Sequence, residues 1–181
     1  MNLYILRHGE VSKRPPHGSK SSEKPLTVAG ENEVKEVAQA IMELGLKFDL
    51  IATSPLKAAY QTAEMISSKG LKLKAKDKDK DKIKKVRINI EKWDELKPEG
   101  KRQLLWKRLS KINFKSSVLM VGHEPQLGDI ISEIILSDYA IRGHIHLKKC
   151  GLAKVKILSF TPKIKGQLNW LITPKSLKKM I

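Results

Sequence analysis

The sequence predicts an α/β fold, a three-layer sandwich whose largely parallel central sheet carries helices on both faces. Short apolar segments alternate with longer ones in which apolar residues recur about every 3.6 positions, the period of a helix. Three apolar segments end in a polar turn and lead towards a helical pattern: LYILRHG, FDLIATSP and VLMVGHEP. Ligands of such sheets bind beyond the carboxyl ends of the strands, so these turns mark the candidate site.

The first strand and helix follow from the start of the chain. Leu3–Leu6 is a short apolar run, which predicts a buried strand. Residues 11–24 are polar and contain two prolines and a glycine, so we expect a loop. Thr27 suits the N-cap of a helix, in which apolar residues recur at helical spacing until Gly45 ends it.

The second apolar segment, FDLIATSP, predicts a strand that ends at Ser54. Ser54 can cap the next helix, and Pro55 fits the first helical position. We expect this helix to bury Leu56, Ala59, Tyr60, Ala63 and Ile66.

The rest of the chain continues the alternation. Residues 86–90 predict a short strand, WDELKPEG a loop and Lys101–Ile112 a helix. Val118–Val121 predicts a strand, followed by a polar turn, a proline and a helix. The apolar face of that helix consists of Leu127, Ile130, Ile131, Ile134 and Ile135. Two further strands are predicted at Leu152–Leu158 and Leu168–Ile172.

The length bounds the domain organisation. With 181 residues the chain can build one sizeable core, so we expect a single domain over residues 1–181. The stretch around 69–85, KGLKLKAKDKDKDKIKK, alternates lysine with aspartate and cannot bury a core face. We predict that it is an exposed and mobile excursion, above all between Lys76 and Lys82.

The composition indicates a cytoplasmic protein that does not enter membranes. The single cysteine, Cys150, excludes an internal disulfide, which fits a reducing compartment. Arg7 interrupts the first apolar run too early for a signal peptide, and no run approaches the roughly 20 apolar residues of a membrane span. The net charge of +17 would attract anionic partners, but with 5% aromatic residues the chain does not favour nucleic-acid binding.

Arginine and histidine at strand ends predict an anion site. An imidazole such as that of His8 can attack phosphorus if the planar fork of Arg7 holds the phosphoryl oxygens. His123 can add a hydrogen bond or a charge, and the helix starts after Ser54 and His123 direct positive dipole ends at the same anion. These parts suit phosphoryl transfer without a metal. Each motif alone could be a chance match or a turn, so the inference depends on their order at strand ends.

At this point the sequence resembles a known family. LRHGE, KPLTVAG, SPLKAAYQTAEMI, WDELKPEG and VLMVGHEP follow one another as in the histidine phosphatase superfamily, the phosphoglycerate-mutase-like enzymes. In its short length the chain is most similar to the SixA-type phosphohistidine phosphatases. The resemblance implies that His8 is a nucleophile that becomes phosphorylated, that Arg7 binds the phosphoryl group and that His123 stabilises the transition state. It implies no metal or other cofactor.

The resemblance leaves the role of Glu95 open. Glu95 lies where many superfamily members carry a proton-donating acid. The imidazole of a phosphohistidine leaves more readily than an alkoxide, so a SixA-type enzyme has less need of such an acid. A loop carboxylate that pairs with a lysine is the alternative.

Two positions depart from the family pattern. Where the motif SPLKRAxQTA has an arginine, this chain has Ala58, and Lys24 replaces the arginine often found before Pro–Leu–Thr. Lys57 precedes Ala58, but neighbouring helical positions point about 100° apart. A lysine also lacks the bidentate fork of arginine. Lys24, Lys57 and the pair Lys148–Lys149 are the candidates that compensate.

Other histidines carry weaker signals. His144 and His146 would lie on one face of a strand, but a zinc site needs further ligands and Cys150 is not an obvious third. We therefore expect no metal site. His17, in the first loop, is expected to be exposed.

Two functions remain open from the sequence. The first is a metal-independent phosphatase with a phosphohistidine intermediate, acting on phosphohistidine in a protein or on a small phosphorylated molecule. The second is a degenerate, weakly active member that binds a phosphorylated partner or a polyanion, and Ala58 is the reason to consider it.

Overall fold

The computed structural model describes residues 1–18, 20, 23–69, 88–136 and 145–180. The strands are β1 (Asn2–Arg7), β2 (Leu50–Thr53), β3 (Asn89–Lys92), β4 (Ser117–Gly122), β5 (Leu152–Ser159) and β6 (Lys165–Ile172). The helices are α1 (Val28–Glu43), α2 (Lys57–Lys69), α3 (Arg102–Leu109), α4 (Gln126–Leu136) and α5 (Pro174–Lys178), with a 3₁₀ turn at Asp94–Leu96.

The six strands of the described ranges form one sheet in the order β3-β2-β4-β1-β5-β6. β3, β2, β4 and β1 are mutually parallel, whereas β5 runs antiparallel to β1 and β6 antiparallel to β5. The prediction of a largely parallel central sheet is therefore confirmed, with an antiparallel extension at one side.

Alternate residues of β1 point to opposite faces of the sheet, as strand geometry requires. Leu3 and Ile5 belong to one apolar cluster, to which α3 and α4 contribute Leu105, Leu109, Leu127, Ile130, Ile131 and Ile134. Tyr4 and Leu6 belong to the other, to which α1, α2 and α5 contribute Val34, Val37, Ala38, Ile41, Ala59, Ala63, Ile66 and Leu177. Helices thus cover both faces, and the predicted three layers are confirmed.

The predicted boundaries of α1 hold. The Thr27 hydroxyl oxygen accepts a hydrogen bond from the backbone N–H of Gly30 at 2.9 Å, which is the N-cap bond. The helix ends at Glu43, and Gly45 follows with a φ of +66° in the left-handed region.

The predicted start of α2 is wrong by two residues. The Ser54 side chain accepts a bond from the backbone N–H of Leu56 at 3.3 Å, so the chain bends at Pro55 and the helix begins at Lys57. As a consequence Leu56 and Tyr60, expected to be buried, are only half-buried. The buried positions of this helix are Ala58, Ala59, Thr62, Ala63, Ile66 and Ser67.

Other boundaries shift because neighbouring strands decide them. β3 ends at Lys92 rather than at Ile90, since its four described residues, Asn89–Lys92, pair with Leu50–Thr53 of β2. β6 begins at Lys165 rather than Leu168 because it pairs back to Ser159 of β5. α3 is shorter than predicted, since the chain turns after Leu109.

Three expectations concern the remaining segments. Ile135, predicted on the buried face of α4, is 36% exposed. Residues 70–87 lie outside the described part of the chain, and with them the predicted lysine–aspartate excursion and residues 86 and 87 of the predicted strand. Among the described helices none has the length and apolar character needed to cross a bilayer.

A buried charged network joins α3 to α4. Arg102 donates from Nε to Glu133 at 2.7 Å and pairs through Nη1 with Asp129 at 3.3 Å. Trp106 donates from its indole nitrogen to the second oxygen of Glu133 at 2.7 Å. Arg102, Asp129 and Glu133 are all less than a tenth exposed, and each of these charged groups has an ion-pair partner inside the protein.

A substitution at Gly30 tests how closely α1 packs on the loop after β1. A Cβ at this position would lie 2.3 Å from the carbonyl oxygen of Glu10, so the helix must move. We expect Gly30→Ala to lower the free energy of unfolding by about 1–3 kcal/mol, measured by urea denaturation. Lys35→Ala, on the exposed face of the same helix, should change it by about 0.5 kcal/mol or less. An unchanged urea midpoint for Gly30→Ala would contradict this close packing.

Candidate active site

Three loops meet at the carboxyl end of the parallel strands. β1 pairs with β4 so that Arg7 lies opposite Gly122, and β2 pairs with β4 so that Thr53 lies opposite Val121. The ladder continues past the strands: the His8 N–H donates to the Gly122 carbonyl at 3.1 Å. The chain segments that begin at His8, Ser54 and His123 therefore leave the sheet side by side.

The two imidazoles face each other in this position. The ring centroids of His8 and His123 are 4.8 Å apart and the rings are inclined by 53°. His8 is 9% exposed and His123 is 8% exposed, so both side chains are almost completely buried. The structure thus brings the two sequence-predicted histidines together.

A short hydrogen bond sets the tautomer of His8. Its Nδ1 lies 2.6 Å from the carbonyl oxygen of Gly9, and a carbonyl only accepts, so Nδ1 carries the proton. In the neutral ring the lone pair is then on Nε2. Burial lowers the pKa of His8, with smaller contributions from the Arg7 and Lys149 charges, although the Gly9 bond opposes them. His8 is therefore neutral at pH 7, with a free electron pair on Nε2.

His123 is held by Ser54. The Nε2 atom of His123 lies 2.9 Å from the Ser54 hydroxyl oxygen, and Ser54 is completely buried. The same hydroxyl oxygen accepts the N–H of Leu56, which leaves its own proton free for the imidazole. Burial lowers the pKa of His123 to about 4, and the His8 and Arg7 charges add to this. A neutral His123 offers hydrogen bonds to a bound group without adding a positive charge.

Arg7 supplies the fixed positive charge of the site. One terminal nitrogen, Nη1, donates to the carbonyl oxygen of Leu147 at 2.8 Å. The Nε atom is buried and has no hydrogen-bond partner among the described residues. A guanidinium anchored on one side and unsaturated on the other is suited to hold an anion with two parallel hydrogen bonds.

Neighbouring backbone and hydroxyl groups hold the His8 loop. The Gly9 N–H donates to the Thr62 hydroxyl at 3.2 Å, and this hydroxyl in turn donates to the Ala58 carbonyl at 2.8 Å. The Cys150 N–H donates to the carbonyls of Arg7 and His8 at 3.1 and 3.3 Å. The sequence did not single out Thr62 for this role, although it is part of the QTA motif. For Cys150 no sequence pattern signals it, because the backbone makes the contact.

Glu95 does not join the histidines. Its carboxylate accepts from Arg108 Nη1 at 3.3 Å, and among the described residues it has no hydrogen bond or ion pair with either imidazole. Arg108 also pairs with Glu91 at 3.4 Å and lies over the Trp93 ring. The structure therefore corresponds to the paired-carboxylate alternative, with an arginine in place of the expected lysine.

The candidate lysines differ in whether another side chain holds them. Lys57 and Lys148 are exposed and Lys24 is half-buried, and the ammonium groups of all three lack a hydrogen-bonded partner in the described ranges. Lys149, by contrast, pairs with Glu10 at 3.0 Å. Such lysines add mobile positive charge and leave the geometry of a bound anion to Arg7.

Ala58 occupies the position where the family motif has an arginine. It lies in the first turn of α2, is 5% exposed and packs in the apolar cluster of α1 and α2. This turn therefore presents a buried methyl group where the family motif has a guanidinium.

Among the described residues no group of three or more His, Cys, Asp or Glu side chains could hold a metal ion. His144 lies outside the described residues, and His146 is largely exposed with Glu124 3.7 Å from its Nδ1. Cys150 is buried, and burial raises the pKa of its thiol. His17 is exposed, as predicted.

Comparison with known proteins identifies related sequences. The sequence profile of the histidine phosphatase superfamily (branch 1) matches residues 3–97. A protein of Picosynechococcus sp., itself uncharacterised, is 31% identical over 156 residues, which cover 84% of this chain and 82% of that protein.

Several solved structures share the fold along nearly the whole chain. The protein histidine phosphatase SixA complexed with tungstate superposes with a TM-score of 0.75 at 23% identity, over 98% of this chain and 99% of that one. The α-ribazole phosphatase from Shigella flexneri has a TM-score of 0.65 at 17% identity, over 96% and 97% of the two chains. A phosphoserine phosphatase mutant from Entamoeba histolytica in complex with phosphoserine has a TM-score of 0.61 at 18% identity, over 97% and 98%.

The charge state of the two imidazoles is open to direct measurement. In an NMR titration we expect His123 to protonate at a pKa of about 4 and His8 at a pKa below its usual 6.5. Arg7→Met should raise both pKa values only in part, because burial is the larger cause. The corresponding His8→Gln and His123→Gln spectra assign the signals. A pKa above 6.5 for His8 would contradict a neutral imidazole at the strand end.

Proposed function

The chain belongs to the histidine phosphatase superfamily, and we propose that it is a phosphatase in which His8 takes the phosphoryl group from the substrate and passes it to water. The observation that carries the proposal is the bond from His8 Nδ1 to the Gly9 carbonyl, which leaves the Nε2 lone pair free. The His123 ring lies beside the His8 ring and the Arg7 charge acts on it, so both side chains can stabilise the charge of a phosphoryl group.

The first step is the attack of His8 on phosphorus. The Nε2 lone pair forms a P–N bond while the bond from phosphorus to the leaving group breaks, and the leaving group keeps that electron pair and takes up a proton from solvent. Arg7 holds two phosphoryl oxygens, and His123 donates a further hydrogen bond. In the proposed step the charge of Arg7 and the hydrogen bond from His123 stabilise the phosphoryl oxygens, and no metal ion takes part.

The second step returns the enzyme to its initial state. A water oxygen attacks the phosphorus of the phosphohistidine, and the P–N bond breaks with its electrons returning to Nε2. The water releases a proton to solvent in this step, and inorganic phosphate leaves. The Nδ1 proton stays hydrogen-bonded to the Gly9 carbonyl in both steps, so the ring of His8 does not rotate between them.

Phosphohistidine in a protein is the substrate class that we propose first, with small phosphate esters of good leaving groups second. An imidazole leaves phosphorus readily, whereas an alkoxide needs a proton from a nearby acid. Glu95, the acid expected from the family pattern, is instead paired with Arg108. The likeness to the SixA structure agrees with this choice, although the neighbours with other substrates share the same fold.

A weakly active binding protein is the second candidate, and Ala58 is the observation that favours it. Without a guanidinium from the first turn of α2, Arg7 is the planar anion-binding group described at the site. Such a protein would bind a phosphorylated partner or a polyanion while turning it over poorly. The rate of the first reaction, and its dependence on His8, separates the two candidates.

Replacement of His8 tests the nucleophile. We expect His8→Ala to lower the release of phosphate from an aryl phosphate by about a thousandfold or more while the melting temperature stays within a few degrees. The wild-type protein, quenched during turnover, should contain a phosphoenzyme that is labile in acid and stable in base, as a P–N bond is. Turnover retained by His8→Ala would show that another residue attacks. Slow turnover by both the wild-type and the His8→Ala protein, with equal affinity for the aryl phosphate, would favour the second candidate.

Replacement of Glu95 tests the absence of a general acid. We expect Glu95→Gln to change kcat/KM for a phosphohistidine peptide by about threefold or less, because general-acid catalysis contributes about 100-fold or more where it operates. Glu91→Gln is the matched control, since Glu91 pairs with the same Arg108. A loss of about 100-fold with Glu95→Gln alone would show that this carboxyl moves to the site when substrate binds.

A further inference from the structure

The segment of residues 145–149 lies between α4 and β5 and borders the site. Residues 145–148 have no helical or strand hydrogen bonds, yet Leu147 within them is completely buried. Buried peptide groups require hydrogen-bond partners, and here secondary structure does not supply them. The partners of the Leu147 peptide groups are therefore informative.

The side chains of Arg7 and Glu124 form hydrogen bonds with the two peptide groups of Leu147. Arg7 Nη1 donates to the Leu147 carbonyl at 2.8 Å, and the Leu147 N–H donates to Glu124 Oε1 at 3.2 Å. Glu124 directly follows His123 in the chain. One residue of an irregular segment thus connects the end of β4 with the guanidinium at the end of β1.

The packing around Glu124 leaves this segment little freedom. A Cβ on Gly128 would lie 1.9 Å from the Ile145 carbonyl oxygen and 3.1 Å from Glu124 Oε2. The segment therefore rests on the bare backbone of α4, and the Glu124 carboxylate is enclosed beside it with its side chain 8% exposed. Carboxylates are seldom buried to this degree unless they are paired.

We propose that Glu124 is a positioning residue of the enzyme: through the Leu147 peptide groups it fixes the Arg7 guanidinium against the phosphoryl site. This inference rests on the proposed function, in which Arg7 holds the phosphoryl group. Without the carboxylate the buried Leu147 N–H loses its acceptor, and the carbonyl that orients Arg7 loses its support. Because Ala58 contributes no second guanidinium, a displaced Arg7 weakens the whole grip on the anion.

Three variants and one probe test this role. Glu124→Ala removes the acceptor, Glu124→Gln keeps an oxygen that can accept the Leu147 N–H, and Glu43→Ala removes an exposed carboxylate at the far end of α1. The probe is orthovanadate, whose binding to each protein is titrated. We expect Glu124→Ala to raise the dissociation constant of vanadate and the KM for an aryl phosphate about tenfold, and the other two variants to raise them about threefold or less.

A double-mutant cycle distinguishes positioning from a general structural role. In the Arg7→Met background, Glu124→Ala should weaken vanadate binding no further than about twofold, because its effect acts through Arg7. If the loss is the same in both backgrounds, or if Glu124→Ala lowers only the melting temperature, the proposal is wrong. An equal loss with Glu124→Gln would also overturn it, since the hydrogen bond would then not be the cause.

The remaining outcomes are decisive as well. If Glu124→Ala does not fold, Glu124→Asp replaces it, because a carboxylate shorter by one methylene is drawn away from the Leu147 N–H; it should weaken vanadate binding while Glu124→Gln does not. If the wild-type protein binds vanadate but does not hydrolyse the aryl phosphate or a phosphohistidine peptide, the proposed function is refuted. The dissociation constants of vanadate for the variants then still test the role of Glu124. A wild-type protein that neither binds vanadate nor hydrolyses phosphate refutes both.

Discussion

The parallel pairing of β1 with β4 is the interaction on which the site depends. In its register Arg7 lies opposite Gly122, so the two histidines that follow leave the sheet at the same level. Both faces of β1 are buried, and a shift by one residue would exchange Leu3 and Ile5 with Tyr4 and Leu6 between the two apolar clusters. The packing of the core therefore sets the register that brings the two imidazoles to a centroid distance of 4.8 Å.

Burial then decides the charge of each group. It is the largest cause of the lowered pKa values of His8 and His123, and the neighbouring Arg7 charge acts in the same direction. An arginine side chain, by contrast, carries a positive charge throughout the pH range in which proteins are folded. The result is one fixed cation beside two neutral rings, and in the ring of His8 the bond to the Gly9 carbonyl leaves Nε2 unprotonated. This combination suits attack on an anionic phosphoryl group.

The site contrasts one anchored cation with several unanchored ones. Arg7 is hydrogen-bonded to the Leu147 carbonyl, whereas Lys57, at the start of α2, and Lys148, shortly before β5, are exposed. Exposed ammonium groups raise the local concentration of anions over several ångströms but do not define an orientation. With Ala58 in the first turn of α2, orientation depends on Arg7 and on the groups that hold it. This dependence is one basis of the proposed preference for substrates whose leaving group needs little assistance, and the paired state of Glu95 agrees with that proposal.

The sequence by itself determined the layers, the order of most elements and the three strand ends that meet at the site, because apolar periodicity and caps such as Thr27 are local properties. It also indicated His8, Arg7, His123 and Ser54. Only the tertiary structure decided the pairing of Glu95 with Arg108 and the hydrogen bonds from Arg7 and to Glu124 at the Leu147 peptide groups. These features join residues far apart in the chain, and their hydrogen bonds and burial arise only when separate elements pack together, so no local pattern encodes them.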